Sequence, residues 1–340
     1  MIFFPGQNVW GLLSVALLVL AGHALVGQAL QRFEYRQPQM GTYFRLVLYA
    51  ANEDIARRAA TAAYERIEGL NQIMSDYLPE SELNRLSATA GSGKWVVISE
   101  ELHEVLSMAQ QLAKGSAGAF DVTVGPVVRL WRRARRRQAL PDSARLAAAQ
   151  ALVNYRCLRL RKHPWRAKLL RPGMKLDLGG IAKGYAVREA LELLRARGIA
   201  SALVDGGGDI QCSAPPPGRD CWLVKLPETG NLCLHEMAVA TSGDQYQYLE
   251  IAGIRYSHIL DPRTGMPLTG HSLVSVIAPD AALADALASA LSVMPPHKGM
   301  KWVQQFEGVH VRIMRTEDQH LQFYSTPDFE RYLAEVQAKK

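Results

Sequence analysis

Residues 175–186 (KLDLGGIAKGYA) place a carboxylate, three glycines and a lysine directly ahead of an amphipathic helical pattern. Glycines let a backbone approach a ligand closely. A helix N-terminus offers free N–H groups and a partial positive charge, and Lys183 adds a full charge at the same point. The segment therefore predicts a strand-to-helix turn that holds a phosphorylated ligand.

This turn does not match the two best-known phosphate-binding motifs. It lacks the Walker sequence G-x-x-x-x-G-K-[ST], and no G-x-G-x-x-G opens a βαβ unit near it. A plain glycine-rich turn without a ligand fits the spacing as well. At this point both interpretations stay open.

The order of helical and strand-like patterns predicts the fold class. Apolar alternation predicts a strand over residues 43–50, and helical spacing predicts helices over residues 54–74, 99–113, 142–152, 183–197, 280–294 and 300–306. Residues 221–278 are mostly strand-like, VHVRIM and LQFYS form a predicted hairpin, and a polar helix is expected at the C-terminus. Because these elements come in blocks with short connections, we expect an α+β fold rather than strict βαβ alternation.

The N-terminal segment, residues 1–30, stands apart because residues 9–29 contain no Asp, Glu, Lys or Arg. This pattern is typical of a signal peptide or a membrane anchor. It predicts an exported protein, in the periplasm or on the outer face of the cytoplasmic membrane. Residues 25–27 resemble the start of a lipoprotein box, but Gln28 stands where the lipidated cysteine belongs. Cleavage and retention of the segment both stay open.

Positive charge is concentrated in one run. The chain of 340 residues carries a net charge of +7, and residues 129–137 (RLWRRARRR) supply much of it. Neither zinc-finger spacing nor an aromatic-rich RNA motif accompanies this run. We interpret it as a solvated loop or helix face and expect no nucleic-acid partner.

Four cysteines, at positions 157, 212, 221 and 233, include no C-x-x-C pair, which argues against zinc and thioredoxin chemistry. Cys212 and Cys221 flank a proline-rich turn between two strand-like runs. In an exported chain they are a candidate disulfide, with two reduced thiols as the alternative.

Two further places in the sequence carry candidate chemistry. Asp285 and Ser289 lie four residues apart on a predicted apolar helix and so share one face, which suits a hard cation such as Mg²⁺. A carboxylate bonded to a nearby loop is the alternative. His258 lies in a strand-like run and is a candidate general base near neutral pH, although a lone strand histidine is more often a packed one.

Aromatic residues near carboxylates suggest stacking on a planar ligand. Phe120 precedes Asp121 between small residues, and Tyr77 precedes a turn at Pro79. Each of these signals is weak when taken alone, because most aromatic residues at such spacings belong to a core.

Together these segments resemble the ApbE family, the FAD:protein FMN transferases. Eight motifs carry the resemblance, in order: MGTYF from Met40, MSDYLPESELNRL from Met74, GAFDVTVGPVVRLW from Gly118, DLGGIAKGYAV from Asp177, DGGGDI from Asp205, TSGDQY from Thr241, SHILDPRTG from Ser257 and ADALASAL from Ala284. The resemblance spans roughly residues 36–324. Three positions depart from the family: Ser289 where Thr is common, the missing lipobox cysteine, and the basic run where many members have a glycine-rich segment.

The resemblance implies a T-fold-related fold of mixed sheets and flanking helices, with FAD in a cleft between two lobes. It implies an ApbE-like domain over residues 36–330, followed by the end of a polar helix at residues 331–340. The residues that it places around FAD are Met40, Tyr77, Ala119, Phe120, Asp121, Asp177, Lys183 and His258. The Mg²⁺ ligands that it implies are the Gly180 carbonyl, Asp285 and Ser289.

The activity implied by the resemblance is Mg²⁺-dependent transfer of FMN from FAD to a Ser or Thr hydroxyl of an acceptor protein, with release of AMP. Lys183 and His258 are the expected catalytic residues, for charge neutralisation and for proton removal. Two alternatives stay open: a Mg²⁺-dependent FAD pyrophosphatase that yields FMN and AMP, and a non-catalytic FAD-binding protein.

Overall fold

The computed structural model describes residues 29–243, 248–317 and 320–334. The predicted export segment therefore lies almost wholly outside the described residues, as do Asp244 and residues 335–340. Among the helices of the described part, none has the length and apolar character needed to cross a membrane.

The described residues form eight α-helices. Their bounds are α1 (Glu53–Met74), α2 (Glu82–Ala88), α3 (Glu100–Gly115), α4 (Gly125–Arg137), α5 (Ser143–Gln150), α6 (Ala182–Ala196), α7 (Ala281–Val293) and α8 (Pro296–Val303). Short polar side chains begin several of them: the Ser99 hydroxyl accepts a hydrogen bond from Leu102 N, as is typical of an N-cap residue. The last predicted helix before the hairpin starts earlier than expected, because Pro296 opens α8 at a position that proline favours.

Eight strands form one large sheet in the spatial order β1-β2-β6-β7-β10-β14-β15-β16, and every neighbouring pair is antiparallel. Their bounds are β1 (Gln31–Gln39), β2 (Thr42–Ala50), β6 (Ala202–Gly206), β7 (Ile210–Cys212), β10 (Ala238–Gly243), β14 (Ser272–Ala278), β15 (His310–Glu317) and β16 (His320–Ser325). The predicted closing hairpin is confirmed as β15–β16. The expected polar helix after it is a 3₁₀ turn at Phe329–Tyr332 within the described residues.

The other strands form smaller antiparallel sheets. These are β3-β5-β4 (Val96–Val97, Arg166–Leu169, Leu158–Arg161), β8-β9 (Trp222–Leu226, Gly230–Leu234) and β11-β12-β13 (Tyr248–Ile251, Ile254–Asp261, Met266–Thr269). Because all of these strand pairs are antiparallel and no regular βαβ alternation occurs in the described residues, the predicted α+β class is confirmed.

The main core lies between the large sheet and helices α1, α6 and α7. Every residue of β14 is buried, and α7 is buried on nearly all sides, as expected for a helix that is apolar all round. Its many alanines allow close helix packing. Helix α6 approaches α7 most closely at Gly184, where there is no side chain. A Cβ at this position would overlap the Ala281 carbonyl and come 2.8 Å from the Asp285 Cβ.

Neither alternative for Cys212 and Cys221 is correct, because they are not bonded to each other and only Cys212 of the two is a free thiol. Cys221 is bonded to Cys233, with 5.3 Å between their Cα atoms. The β8–β9 register places Trp222 opposite Leu234, which brings the two cysteines together at the end of that hairpin. Cys212 is a buried free thiol in β7 of the large sheet, where its S–H donates to the Met237 carbonyl at 3.4 Å.

Candidate functional site

One cavity of about 780 Å³ opens beside the N-terminal end of α6. All eleven residues predicted for the site line it: Met40, Tyr77, Ala119, Phe120, Asp121, Asp177, Gly180, Lys183, His258, Asp285 and Ser289. These residues come from six separate segments of the chain. The structure thus brings together six segments that the sequence linked to one another only through a family resemblance.

The glycine turn before α6 is built around Asp177. Its amide donates to the Val122 carbonyl at 2.8 Å, and its Oδ1 accepts from Gly179 N at 2.9 Å. These bonds fix the turn, which leads through Gly180 into the first residues of α6. A Cβ at Gly180 would lie only 2.8 Å from Ser289 Oγ. The turn can therefore pack this closely against α7 only because residue 180 has no side chain.

The five residues Gly180, Lys183, Asp209, Asp285 and Ser289 form what we call the acidic corner. Lys183 forms an ion pair with Asp209, and Asp285 Oδ2 accepts from Gly184 N at 3.1 Å. Burial and the charge of Asp209 raise the pKa of Asp285 to about 7, despite the opposing effects of Lys183 and Gly184. Although burial acts to lower it, the charges of Asp209 and Asp285 raise the pKa of Lys183, which stays an ammonium.

The donor set of the acidic corner fits a hard divalent cation. A backbone carbonyl, a carboxylate and a hydroxyl are ligands of the kind that Mg²⁺ takes, with water and substrate oxygens completing the shell. The missing Cβ at Gly180 keeps the space beside Ser289 Oγ open. A cation there would favour the ionised form of Asp285. No group of three or more His, Cys, Asp or Glu side chains with metal-site spacing occurs in the described ranges, so protein carboxylates alone would not fill the shell.

Asp121 lines the cavity, but its carboxylate is engaged inside the protein. Oδ1 accepts from the amide and hydroxyl of Thr123 at 2.8 and 2.7 Å, and Oδ2 accepts from Tyr155 N at 2.8 Å. Burial raises the pKa of Asp121 in spite of these bonds. Ala119 and Phe120, both buried, are held in the cavity wall by the same loop.

A second part of the wall, the arginine rim, consists of Asp76, Tyr77, Arg132, Arg135 and Asp177. Arg132 forms an ion pair with Asp76 and donates to Asp177 Oδ2 at 2.9 Å. Its guanidinium carbon lies 4.3 Å from the centroid of the Tyr77 ring, a cation–π distance. Burial and the charge of Asp76 raise the pKa of Asp177, against the effect of Arg132.

The basic run of residues 129–137 is only partly the solvated face that the sequence predicts. All of it lies in α4, and Arg129, Arg133, Arg136 and Arg137 are exposed. Arg132 is an exception, because only 18% of its side chain is exposed and it lines the cavity. The prediction of a purely solvated run is therefore wrong at this position: the helix turns Arg132 towards the buried carboxylate of Asp177 and the partly buried carboxylate of Asp76.

Met40 and His258 complete the predicted set. Met40 and Gly41 occupy the two-residue turn of the β1–β2 hairpin, and both have positive φ, 49° and 76°, as in a type I′ turn. This turn carries Met40 to the cavity. His258 lies on β12, is exposed, and lines the cavity together with Leu260 and Pro262.

Sequence reasoning missed four charged residues of the cavity wall: Asp76, Arg132, Arg135 and Asp209. Asp76 and Asp209 lie within motifs that carried the resemblance, MSDY and DGGGDI. A search of those motifs for partners of Lys183 would have suggested Asp209. Nothing local in the sequence connects Arg132 with Asp76 or Asp177.

Comparison with known proteins identifies the family. The model of the ApbE family matches residues 40–313. The chain belongs to the ApbE family. All eleven predicted cavity residues lie within the matched ApbE region.

Relatives in the ApbE family include two named FAD:protein FMN transferase. The one from Treponema pallidum (strain Nichols) is 32% identical over 326 residues, which cover 88% of this chain and 90% of that protein. The one from Vibrio cholerae serotype O1 is 30% identical over 338 residues, covering 96% and 99%.

Solved ApbE structures share the fold. The flavin transferase ApbE from Vibrio cholerae gives a TM-score of 0.81 at 27% identity, covering 89% of this chain and 100% of that one. The ApbE protein from Thermotoga maritima gives a TM-score of 0.80 at 30% identity, covering 90% and 100%.

Proposed function

We propose that this ApbE-family protein is an FAD:protein FMN transferase, which moves the FMN part of FAD to a Ser or Thr hydroxyl of an acceptor protein and releases AMP. The observation that carries the proposal is the convergence of all eleven predicted residues on one cavity. Its volume of about 780 Å³ lies in the usual range of ligand pockets. The names of the relatives support transfer of FMN from FAD to a protein, and the family resemblance supplies the Ser or Thr acceptor and the release of AMP.

FAD occupies this cavity in the proposal. The residues proposed to contact FAD are Met40, Tyr77, Ala119, Phe120, Asp121, Asp177, Lys183 and His258. Tyr77 offers an exposed ring face at the arginine rim, and Phe120 offers a buried one. Because the Asp121 carboxylate is already bonded to Thr123 and Tyr155, we assign its contact with FAD to the backbone of residues 119–121.

The Gly180 carbonyl, Asp285 and Ser289 hold Mg²⁺ in the proposal. When bound, the ion withdraws negative charge from the diphosphate and so stabilises the transition state of phosphoryl transfer.

Lys183 adds a second positive charge beside the diphosphate. Its ion pair with buried Asp209 fixes the ammonium in position and keeps it protonated. Fixed charges of this kind stabilise a transition state without costly reorganisation.

His258 accepts the proton of the acceptor hydroxyl. The acceptor oxygen then forms a bond to the FMN phosphorus, and the P–O bond to AMP breaks, so AMP leaves with the bridging oxygen. The exposure of His258 at the cavity wall supports this role, because the acceptor is a protein and must approach from solvent.

The proposal extends to architecture and location. We propose that residues 36–330 form the catalytic domain, a T-fold-related arrangement of two lobes around FAD. Residues 1–30 act as a signal peptide or membrane anchor and direct the chain to the periplasmic side. The Cys221–Cys233 disulfide supports export, since such bonds persist in oxidising compartments.

Incubation with FAD and Mg²⁺, with and without a candidate acceptor protein, tests the function. If the protein is a transferase, the mass of the acceptor increases by one esterified FMN, and AMP is released in an equal amount. Release of FMN and AMP that is independent of the acceptor would identify a pyrophosphatase instead. Bound FAD without AMP release would identify a binding protein.

A further inference from the structure

Arg135 occupies an unusual electrostatic position in the cavity wall. Arg132, Arg135 and Lys183 all line the cavity. Arg132 and Lys183 are paired with carboxylates. Across the described residues, the Arg135 guanidinium has neither an ion pair nor a hydrogen bond, although it is half-buried. Burial and the charge of Arg132 lower its pKa, which means that its positive charge is poorly compensated.

Arg135 also lies next to the proposed base. A small hollow that adjoins the cavity is lined by both Arg135 and His258, with Trp131 and Tyr256 in the same wall. A group bound to this guanidinium would therefore lie close to the acceptor hydroxyl.

The position of α4 relative to β12 is fixed by packing. Trp131 stacks on Tyr256 with 5.6 Å between ring centroids, and its Nε1 donates to the Gly265 carbonyl at 2.8 Å. In addition, Gln150 at the end of α5 donates from Nε2 to the carbonyl of Pro262, in the turn that follows β12, at 2.7 Å. Because Trp131 connects α4 to Tyr256 of the strand that carries His258, the spacing between Arg135 and His258 is set before any ligand binds.

We propose that Arg135 is an anion subsite for the acceptor, which binds a carboxylate of an acidic residue beside the Ser or Thr that receives FMN. The proposal rests on the proposed transferase function and names the substrate class of that site: an acidic acceptor segment. Guanidinium and carboxylate groups form charge-assisted paired hydrogen bonds. The exposed arginines of α4, at positions 129, 133, 136 and 137, surround the subsite with positive charge and steer such a segment towards it.

The test uses two fluorescent octapeptides with a central Thr, one flanked by Asp residues and one with Asn at the same positions. Binding to the FAD-loaded protein is measured by anisotropy without Mg²⁺, so that no transfer is needed. We expect the Asp peptide to bind about 10-fold more tightly than the Asn peptide, the scale of one hydrogen bond to a charged group. Added salt should reduce this difference.

Arg135→Gln should abolish the preference for the Asp peptide. Arg133→Gln is the matched control, because Arg133 is exposed and lies two residues away on the same helix, about 200° around its axis. That control should keep the preference.

Three outcomes would overturn the proposal. They are equal or undetectable binding of both peptides, a preference that survives in Arg135→Gln, and loss of FAD affinity in Arg135→Gln with the peptide preference intact. The last result would assign Arg135 to the FAD phosphates. FMN transfer to a protein acceptor is scored separately by mass, so the subsite and the transferase function can fail independently.

Discussion

The acidic corner and the arginine rim both pair buried carboxylates with a cation, but they are built differently. In the acidic corner, Asp285 and Ser289 come from one helix, and that helix packs directly on the helix that carries Lys183. In the arginine rim, Arg132 joins carboxylates 56 and 45 residues away in the sequence. The Tyr77 ring beneath it is 72% exposed.

This difference suggests a division of labour. Helix packing fixes the acidic corner whether or not a ligand is present, as transition-state stabilisation requires. The arginine rim is held together by Arg132 alone, and its Tyr77 side chain is exposed to solvent. This arrangement suits the binding of substrates that enter from solvent. Changes in the acidic corner should therefore reduce turnover, and changes in the rim should reduce affinity.

The largest effect should follow from Asp285→Asn. The amide keeps the size of the side chain but removes its charge, so Mg²⁺ dependence and FMN transfer should be lost together, by about 10⁴-fold or more. This magnitude corresponds to the several kcal/mol that a metal ion supplies. Transfer rates across a Mg²⁺ titration provide the measurement.

Asp280→Asn is the matched control on the same helix. Asp280 caps α7 by accepting from Ala282 N at 2.7 Å and Leu283 N at 3.2 Å, and Asn caps as well as Asp. Transfer should persist in this variant. Metal-dependent turnover in Asp285→Asn would remove Asp285 from the ligand set.

His258→Ala should slow transfer by about 10³-fold, within the range that a positioned general base contributes. FAD binding, followed by flavin fluorescence, should be nearly unchanged, because the proposed role concerns the acceptor proton. The loss should be in kcat rather than in the KM for FAD. An unchanged transfer rate would exclude His258 as the base.

The contrast between the two regions also explains what could be predicted from the sequence. The shared face of Asp285 and Ser289 follows from their spacing of four, and the turn before α6 follows from its glycines. The arginine rim has no such local signal. Arg132 meets Asp76 and Asp177 only because α4 packs against the loops that carry these two residues. Such packing depends on the tertiary structure and leaves no local pattern in the sequence.

Tertiary structure also explains why the sequence did not reveal the disulfide pairing. Cys212 and Cys221 are closer in sequence than Cys221 and Cys233, and this favoured the wrong pair. Strand pairing decides the outcome, because β7 joins the large sheet whereas Cys233 belongs to the hairpin that starts beside Cys221. The strands and helices themselves were largely predictable, because their apolar periodicity is strong.

A smaller effect is expected for Arg132→Met, which removes the ion pairs with Asp76 and Asp177 and the contact with Tyr77. The KM for FAD should rise about 10-fold, the scale of one lost charge-assisted contact, while kcat at saturating FAD changes less. Arg133→Met, on an exposed face of the same helix, is the control. An equal fall of kcat with unchanged KM would contradict the assignment of the rim to binding.

The smallest effect concerns Asp121, whose carboxylate is bonded within the fold and belongs to neither region. Asp121→Asn should lower the free energy of unfolding by about 1–3 kcal/mol, because Tyr155 N loses its acceptor.

Burial raises the pKa of folded Asp121 above its ordinary value of 3.8, so the folded state keeps a proton that the unfolded state has lost. The stability contribution of this carboxyl therefore falls as pH rises above about 4. Since Asn does not titrate, the stability advantage of wild type over Asp121→Asn should shrink as pH rises, measured by denaturant unfolding at several pH values. An advantage that grows with pH would mean that the bonds from Thr123 and Tyr155 stabilise the carboxylate as an anion, and would contradict the raised pKa.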